Sequence, residues 1–470
     1  MRFTSINPAT GATLASYDET APEVVSGLLD RGQQAFRAWR ATSFEQRAAR
    51  MRAAASILRK RARDYARLMA QEMGKPIGDG VAEAQKCALC CEFFAEHAAG
   101  FLAPEQVDIG ARRSFVAFRP LGLILAIMPW NFPFWQVLRF AAPSLMAGNA
   151  AVLKHASNVP GCALAIAEVF REAGFPEHLF STLLIGSKRI DELIEDPRIS
   201  AVTLTGSVEA GRAVARKAGE MLKKTVLELG GSDAYLILED ADLEVAAAVC
   251  TQGRLVNSGQ SCIAAKRFIV VESLRSRFEE LFVARMRGAK VGDPLAEDTQ
   301  VGPMARRDLR DALHEQVKAS IAKGARCLLG GKVPEGPGAY YPPTVLSEVQ
   351  PGMPAYDEEL FGPVAAVIAA KDEAAAVAAA NDSIFGLGAG ILSRDLARAE
   401  RLATEDVEAG SVFVNANVQS NPKLPFGGIK ASGYGRELSH YGIKEFVNIK
   451  TVVVQEGRKS AGSDAAGRSE

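Results

Sequence analysis

One cysteine stands in a run of small and polar residues, Asn257-Ser258-Gly259-Gln260-Ser261-Cys262. Small neighbours let a ligand and backbone amides approach the sulfur together, which a nucleophilic thiol needs and a packed core thiol lacks. Glu228 lies inside an apolar run, Val226 to Leu229, that closes on Gly230-Gly231. Desolvation of a carboxylate in such a place opposes its ionisation, and that is how a general base is tuned. A third group is the side-chain amide of Asn131, in Pro129-Trp130-Asn131-Phe132-Pro133. Each signal alone has a plain structural explanation: a turn with an incidental cysteine, or an acid on the outer face of a strand.

The elements that must position these groups alternate in type. From Leu121 the pattern predicts strands at Ile124 to Met128, Ala150 to Lys154, Ser181 to Ile185, Ala201 to Thr205 and Val226 to Leu229, with helices between. Such alternation predicts a parallel sheet covered by helices on both faces, with ligands beyond the carboxyl ends of its strands. Gly206 to Gly211 follows a strand and opens a helix, so its amides can hold a phosphate. It is not GxGxxG, and a plain turn has the same composition. Phe268 to Gly390 repeats the alternation and predicts a second α/β domain containing Glu358-Glu359-Leu360-Phe361-Gly362-Pro363. Pro22 to Gly100 reads as helical. Cys87, Cys90 and Cys91 lie there on an Ala-rich helix with no second paired motif, which points to packing rather than a metal. Val107 to Pro120 alternates like an arm or hairpin, and Val447 to Val454 reads as a last strand.

Composition excludes several functions. At 470 residues, two or three domains are expected. Lys+Arg and Asp+Glu are equal at 55 each, so nothing points to nucleic acid or an anionic membrane surface. Seven cysteines make no disulfide framework, and no stretch reaches membrane-spanning length, so a cytoplasmic protein is expected.

Seven blocks carry a family resemblance. They are PWNFP at 129–133, LK at 153–154, TGS at 205–207, LELGG at 227–231, NSGQSC at 257–262, EELFGP at 358–363 and PFGGIKASGYGRE at 425–437. In order and spacing, over nearly the whole chain, they resemble the aldehyde dehydrogenase superfamily. Lys154-His155-Ala156 and Leu229-Gly230-Gly231-Ser232-Asp233 are similar to bacterial succinate-semialdehyde dehydrogenases.

The resemblance implies roles. Cys262 is the nucleophile that forms a thiohemiacetal and then a thioester. Asn131 and the Cys262 amide hold the oxyanion, and Glu228 activates the hydrolytic water. Glu359 holds the nicotinamide ribose, Lys154 the adenosine ribose side, and Ser207, with Gly206 beside it, the pyrophosphate. Trp130, Gly230 and Phe361 line the cofactor path. Many NAD-preferring relatives carry Glu three residues after the lysine. Here Ser157 leaves room for a 2′-phosphate, so NADP is expected alongside NAD.

Arg139 matches a carboxylate-binding arginine, with Trp135 and Ser420 as further substrate candidates and Lys423 as a weaker one. The expected substrate is an ω-oxo acid such as succinate semialdehyde. Val256 stands where some relatives place a second arginine, so the resemblance implies a weaker hold on the carboxylate or help from another group. Glu228 disfavours a CoA-acylating enzyme, the TGS and EELFGP blocks disfavour a cysteine hydrolase, and the presence of Cys262, Glu228 and Asn131 together disfavours a non-enzymatic binding protein.

The fold class implied is α/β: a Rossmann-type cofactor domain (1–103 and 121–230), an α/β catalytic domain (231–430) and a small β oligomerisation arm (104–120 and 431–456). A disordered tail is expected at 457–470. The exposed apolar arm implies a homodimer or homotetramer.

Overall fold

The computed structural model describes residues 2–456, so the tail at 457–470 lies outside the described residues. Two open sheets dominate. The first has six strands in the spatial order Gly433–Tyr434, Lys224–Glu228, Ile199–Thr205, Leu123–Met128, Ala150–His155 and Phe180–Thr182. All neighbours are parallel except at the Gly433–Tyr434 edge. Leu123–Met128 reads Leu-Ile-Leu-Ala-Ile-Met and is buried throughout, the continuous apolar pattern of a parallel strand covered on both faces. The chain lays two strands to one side of it, then crosses to the other side for Ile199–Thr205. That reversal leaves a crevice at the carboxyl ends of these two central strands. PWNFP leaves one of them and TGS the other.

The second sheet has the order Arg326–Leu329, Thr344–Ser347, Val364–Ala370, Ala265–Val271, Asp233–Ile237, Gly388–Leu392 and Ser411–Val414. Only its first pair is antiparallel. The segment from Glu228 to Asp233 leaves the carboxyl end of one sheet and enters the amino end of the other. Cys262 likewise precedes Ala265–Val271. The thiol therefore sits at the amino ends of the second sheet, facing the carboxyl ends of the first. The carboxyl-end expectation holds for the first sheet alone.

Four helices, Pro22–Trp39, Phe44–Lys60, Ala62–Met73 and Ile77–Phe101, precede the first sheet. The last buries Glu83, Cys87, Cys90 and Cys91 together, so the three cysteines pack. Among the described residues no group of His, Cys, Asp and Glu is arranged to hold a metal. An N-terminal hairpin, Arg2–Ile6 with Thr13–Asp18, was not legible because its second strand is largely exposed and weakly patterned. Val447–Val454 pairs with Arg113–Pro120 over its full length, and Glu105–Gln106 pairs on the other side. This third sheet leaves Ile449, Val453 and Val454 exposed. No helix among the described residues is long and apolar enough to cross a membrane.

Candidate active site

The cysteine loop is an overdetermined turn. Asn257, Ser258 and Gly259 adopt φ of 53°, 57° and 77° in succession, left-handed conformations that cost roughly 1–2 kcal/mol for each non-glycine residue. Tertiary bonds hold them there. Ser258 Oγ accepts from Gly302 N at 2.9 Å, and Gln260 Oε1 accepts from Ala305 N at 2.9 Å. Arg254 donates to the Gly259 carbonyl at 2.7 Å. Lys266 Nζ donates to the carbonyls of Ser261 and Cys262 at 2.9 and 2.8 Å. Gly259 is required sterically, since a Cβ there would lie 2.3 Å from the Gly362 carbonyl oxygen in EELFGP.

Asn131 is tied to the same loop. Its Nδ2 donates to the Gln260 carbonyl at 3.0 Å, and its Oδ1 accepts from Gln136 Nε2 at 3.0 Å, which fixes the amide's orientation. Asn257 Nδ2 returns a bond to the Asn131 carbonyl at 2.7 Å. PWNFP is pinned from behind by His155, whose Nε2–H donates to the Pro133 carbonyl at 2.9 Å while Nδ1 accepts from Ala156 N. Burial pushes this imidazole down to about 4, so it remains neutral at ordinary pH. The Cys262 thiol is partly accessible. Its surroundings desolvate it enough to push it up to about 12, against the pull of Arg139 and Lys266 toward thiolate.

Glu228 is fully buried, and neither carboxylate oxygen has a hydrogen-bond partner. Burial raises it well above the usual carboxylate range. Glu437 raises it further, and Arg139 opposes. The glycines beside it are explained by contact. A Cβ on Gly231 would meet the Cys262 carbonyl oxygen at 2.6 Å, and one on Gly230 would meet Glu359 Oε2 at 2.5 Å.

Arg139 has a partner that the sequence did not show. The residue is buried, ion-paired with Glu437, within 3.2 Å of Thr205 Oγ1, and stacked over Phe426 at 4.6 Å. Its guanidinium reaches the cavity that holds Cys262 with a carboxylate of the protein already bound. Sequence reasoning placed Glu437 only as the end of a glycine-rich block, where nothing signals burial.

The cofactor candidates gather on the other side of the loop. Glu359 accepts from Gly231 N at 3.1 Å and lies 3.4 Å from Lys266 Nζ; burial raises its carboxyl while Lys266 lowers it. Trp130 and Phe361 meet edge to face at 5.7 Å. Ser207 caps the helix Val208–Glu220 by accepting from Ala210 N at 3.2 Å, and Gly206 N donates to the Glu228 carbonyl at 3.0 Å. Lys154, at the end of Ala150–His155, is lowered by burial. Ser157 is exposed on a cavity of about 630 Å³ together with Asn158, Arg306 and Arg307. Both polar atoms of the Asn158 side chain lack a partner. A helix amino terminus, an acid beside bare glycine backbone, and unpaired polar atoms beside cations fit a dinucleotide.

The cavity at the thiol, about 270 Å³, is lined by Cys262, Arg139, Trp135, Val256 and Ser420. It also contains Lys86, which sequence reasoning missed. The available signal was helical spacing, since Lys86 lies one turn from the buried residues Glu83 and Cys90 on Ile77–Phe101. Lys423 is exposed and does not line the cavity.

Comparison with known proteins agrees with this constellation. Residues 1–452 match the aldehyde dehydrogenase family. A probable NADP-dependent succinate-semialdehyde dehydrogenase of Synechocystis is 51% identical over 96% of this chain and 99% of its own. An NAD(P)-dependent succinate semialdehyde dehydrogenase of Escherichia coli is 49% identical over 95% of this chain and 97% of its own. The crystal structure of succinic semialdehyde dehydrogenase from Streptococcus pyogenes with NADP superposes with a TM-score of 0.94 at 36% identity, over 96% of this chain and all of that one. A thiol on a strained loop, an amide tied to that loop and a buried unpaired carboxylate, in a chain that matches from residue 1 to residue 452, identify this protein as a member of the aldehyde dehydrogenase family.

Proposed function

We propose that the protein oxidises succinate semialdehyde, or a closely similar ω-oxo carboxylic acid, to the diacid, using NADP alongside NAD. The observation that carries this reading is the Ser420 hydroxyl in the cavity of Cys262. Its oxygen accepts from Lys86 Nζ at 2.8 Å and from Trp135 Nε1 at 3.1 Å. A hydroxyl has two acceptor positions and one donor, so its own O–H is left to donate, a preference suited to an anion. The names borne by the relatives support the same substrate and cofactors.

In this reading the Cys262 thiol gives its proton to solvent, a loss that Arg139 and Lys266 favour against burial, and the thiolate attacks the aldehyde carbon, forming a C–S bond as the carbonyl π pair moves onto oxygen. The developing oxyanion lies against the second N–H of the Asn131 amide and the Cys262 backbone N–H. Each such donor contributes roughly 2.7–4 kcal/mol to the transition state. Bound NAD(P) supplies the two-electron acceptor for oxidation of the thiohemiacetal to the thioester. Glu228, desolvated and unpaired, takes a proton from water as the water oxygen attacks the thioester carbon. The C–S bond breaks, releasing the acid and the Cys262 sulfur. Water rather than CoA is the acceptor, because a base is in place to activate it.

The experiment is kcat/KM for succinate semialdehyde and butanal, with NADP and NAD, with and without CoA. A preference for succinate semialdehyde of at least tenfold, indifferent to CoA, is expected; equal values for the two aldehydes overturn the substrate. Ser157→Glu places a carboxylate where the 2′-phosphate would lie. It is expected to lower kcat/KM with NADP on the order of a hundredfold while sparing NAD. An equal loss with both cofactors removes Ser157 from cofactor choice. We also place the protein in the cytoplasm and the apolar face of the third sheet against a second copy of the chain.

A further inference from the structure

Two cations line the aldehyde cavity, Arg139 and Lys86. They differ in what already holds them. Arg139 is ion-paired with Glu437, packed on Phe426 and close to Thr205 Oγ1. Lys86 has no ion pair among the described residues. Its ammonium lies 4.3 Å over the Trp135 ring and donates one hydrogen to Ser420 Oγ at 2.8 Å. Among the described residues two of its three N–H groups are left without an acceptor, beside a hydroxyl whose proton is also free to donate.

The acids nearby do not compete for Lys86. Glu83, one turn back on the same helix, accepts from Lys75 Nζ at 2.5 Å and from the amides of Phe134 and Trp135 at 2.9 Å each. Asp79, two turns back, lines the cavity and accepts from the backbone of Asn257. Asn417, Gln419, Ser420 and Gln252, which line the cavity from the other elements, carry no charge.

We propose that Lys86, with Ser420, receives the terminal carboxylate of the substrate and so selects ω-oxo acids over neutral aldehydes. Arg139 instead serves the enzyme's own buried carboxylates. This rests on the substrate reading above. Lys86 belongs to the helix Ile77–Phe101, far in sequence from every recognised block, and it fills the need left by Val256 at the cavity wall. An ammonium on an aromatic face accommodates a carboxylate without a rigid fork, so acids of slightly different length fit one site.

Charge at Lys86 also sets a pH limit. Burial, and secondarily Arg139, lowers the ammonium to about 8, and Glu83 opposes them. Arg139 remains paired with Glu437, and burial keeps Cys87 and Cys90 as neutral thiols, well above their ordinary values. In the free enzyme the cation is present below about 8 and is lost above it. The ratio of kcat/KM for succinate semialdehyde to that for butanal is expected to fall roughly tenfold per pH unit there. Taking the ratio cancels the titration of Cys262 and Glu228.

The test compares wild type, Lys86→Met and Lys86→Arg on both aldehydes across that range. Lys86→Met is expected to raise KM for succinate semialdehyde on the order of 30- to 100-fold, the loss of a charged hydrogen bond. Its kcat, and both constants for butanal, are expected to stay within about threefold; the butanal activity reports that the variant is folded. Lys86→Arg, always charged, should retain most of the preference and lose its decline above pH 8. If wild type prefers succinate semialdehyde and Lys86→Met keeps that preference, or loses activity toward both aldehydes equally, the assignment of Lys86 is overturned and the substrate reading stands. If wild type shows no preference, both fall.

Discussion

Glu228→Gln is expected to form one reduced nicotinamide per Cys262 in a rapid burst and then nearly stop. Rapid-mixing absorbance of the reduced cofactor reads both phases. The isosteric amide keeps the volume of a side chain that is 2% exposed, so the loop and its thiol stay in place. What it removes is the base assigned to water, and the steady-state rate should fall between about 10² and 10⁴-fold. A loss of the burst itself, with the remaining turnover unchanged in form, would move Glu228 from hydrolysis to the activation of the thiol. Because burial and Glu437 both raise this carboxyl, steady-state activity of the wild type should also decline as pH falls and the base becomes protonated.

Gly259→Ala is the second change with a large expected effect, and its cause lies in geometry alone. Position 259 has φ of +77°, and an added Cβ would lie 2.3 Å from the Gly362 carbonyl oxygen and 2.7 Å from Pro363 N. Both neighbours are backbone, so the loop itself must shift. A reacting atom misplaced by about 1 Å loses on the order of a hundredfold in rate. The left-handed backbone adds roughly 1 kcal/mol or more of lost stability. Thermal unfolding and kcat, measured together, should both fall. Gly100→Ala, in the helix Ile77–Phe101 with nothing within 4 Å of the added methyl, is the control and should be neutral or slightly stabilising. Unchanged kcat in Gly259→Ala would mean that the loop tolerates displacement and that its bonds to Gly302 and Ala305 are not what aims the sulfur.

These effects trace to residues that differ in how visible they are in the sequence. Cys262, Glu228 and Asn131 were legible because each sits in a short run whose composition is unusual for its setting. The parallel sheets were legible because continuous apolar runs such as Leu123–Met128 alternate with helical spacing. Glu437 and Lys266 were not, since their significance arises only when distant segments meet. Lys266 precedes an apolar strand interior, and nothing local says that its ammonium turns back onto the carbonyls of residues 261 and 262. Arg139 was found by position, but sequence could not show that an internal carboxylate had already claimed it. Lys86 was hidden for a different reason. On a long Ala-rich helix a single lysine reads as solvent-facing, and only the packing of the Trp135 helix against it turns that side chain inward.

The pair between Arg139 and Glu437 bears on the order in which the chain is made. Thiol, amide and base are all complete by residue 262, whereas Glu437 arrives with the closing segment that also pairs Gly433–Tyr434 against the strand of Glu228. Until that segment is in place two buried groups, one guanidinium and one carboxylate, face each other without a third. Glu228 is the carboxylate that acts on Arg139 most strongly after Glu437, and an ion-paired carboxylate is a weaker acceptor of protons from water. The last segment frees the base by offering the arginine a better partner. A chain lacking that segment is accordingly expected to acylate its cysteine and stall at the thioester, because the base that discharges it is held by the arginine.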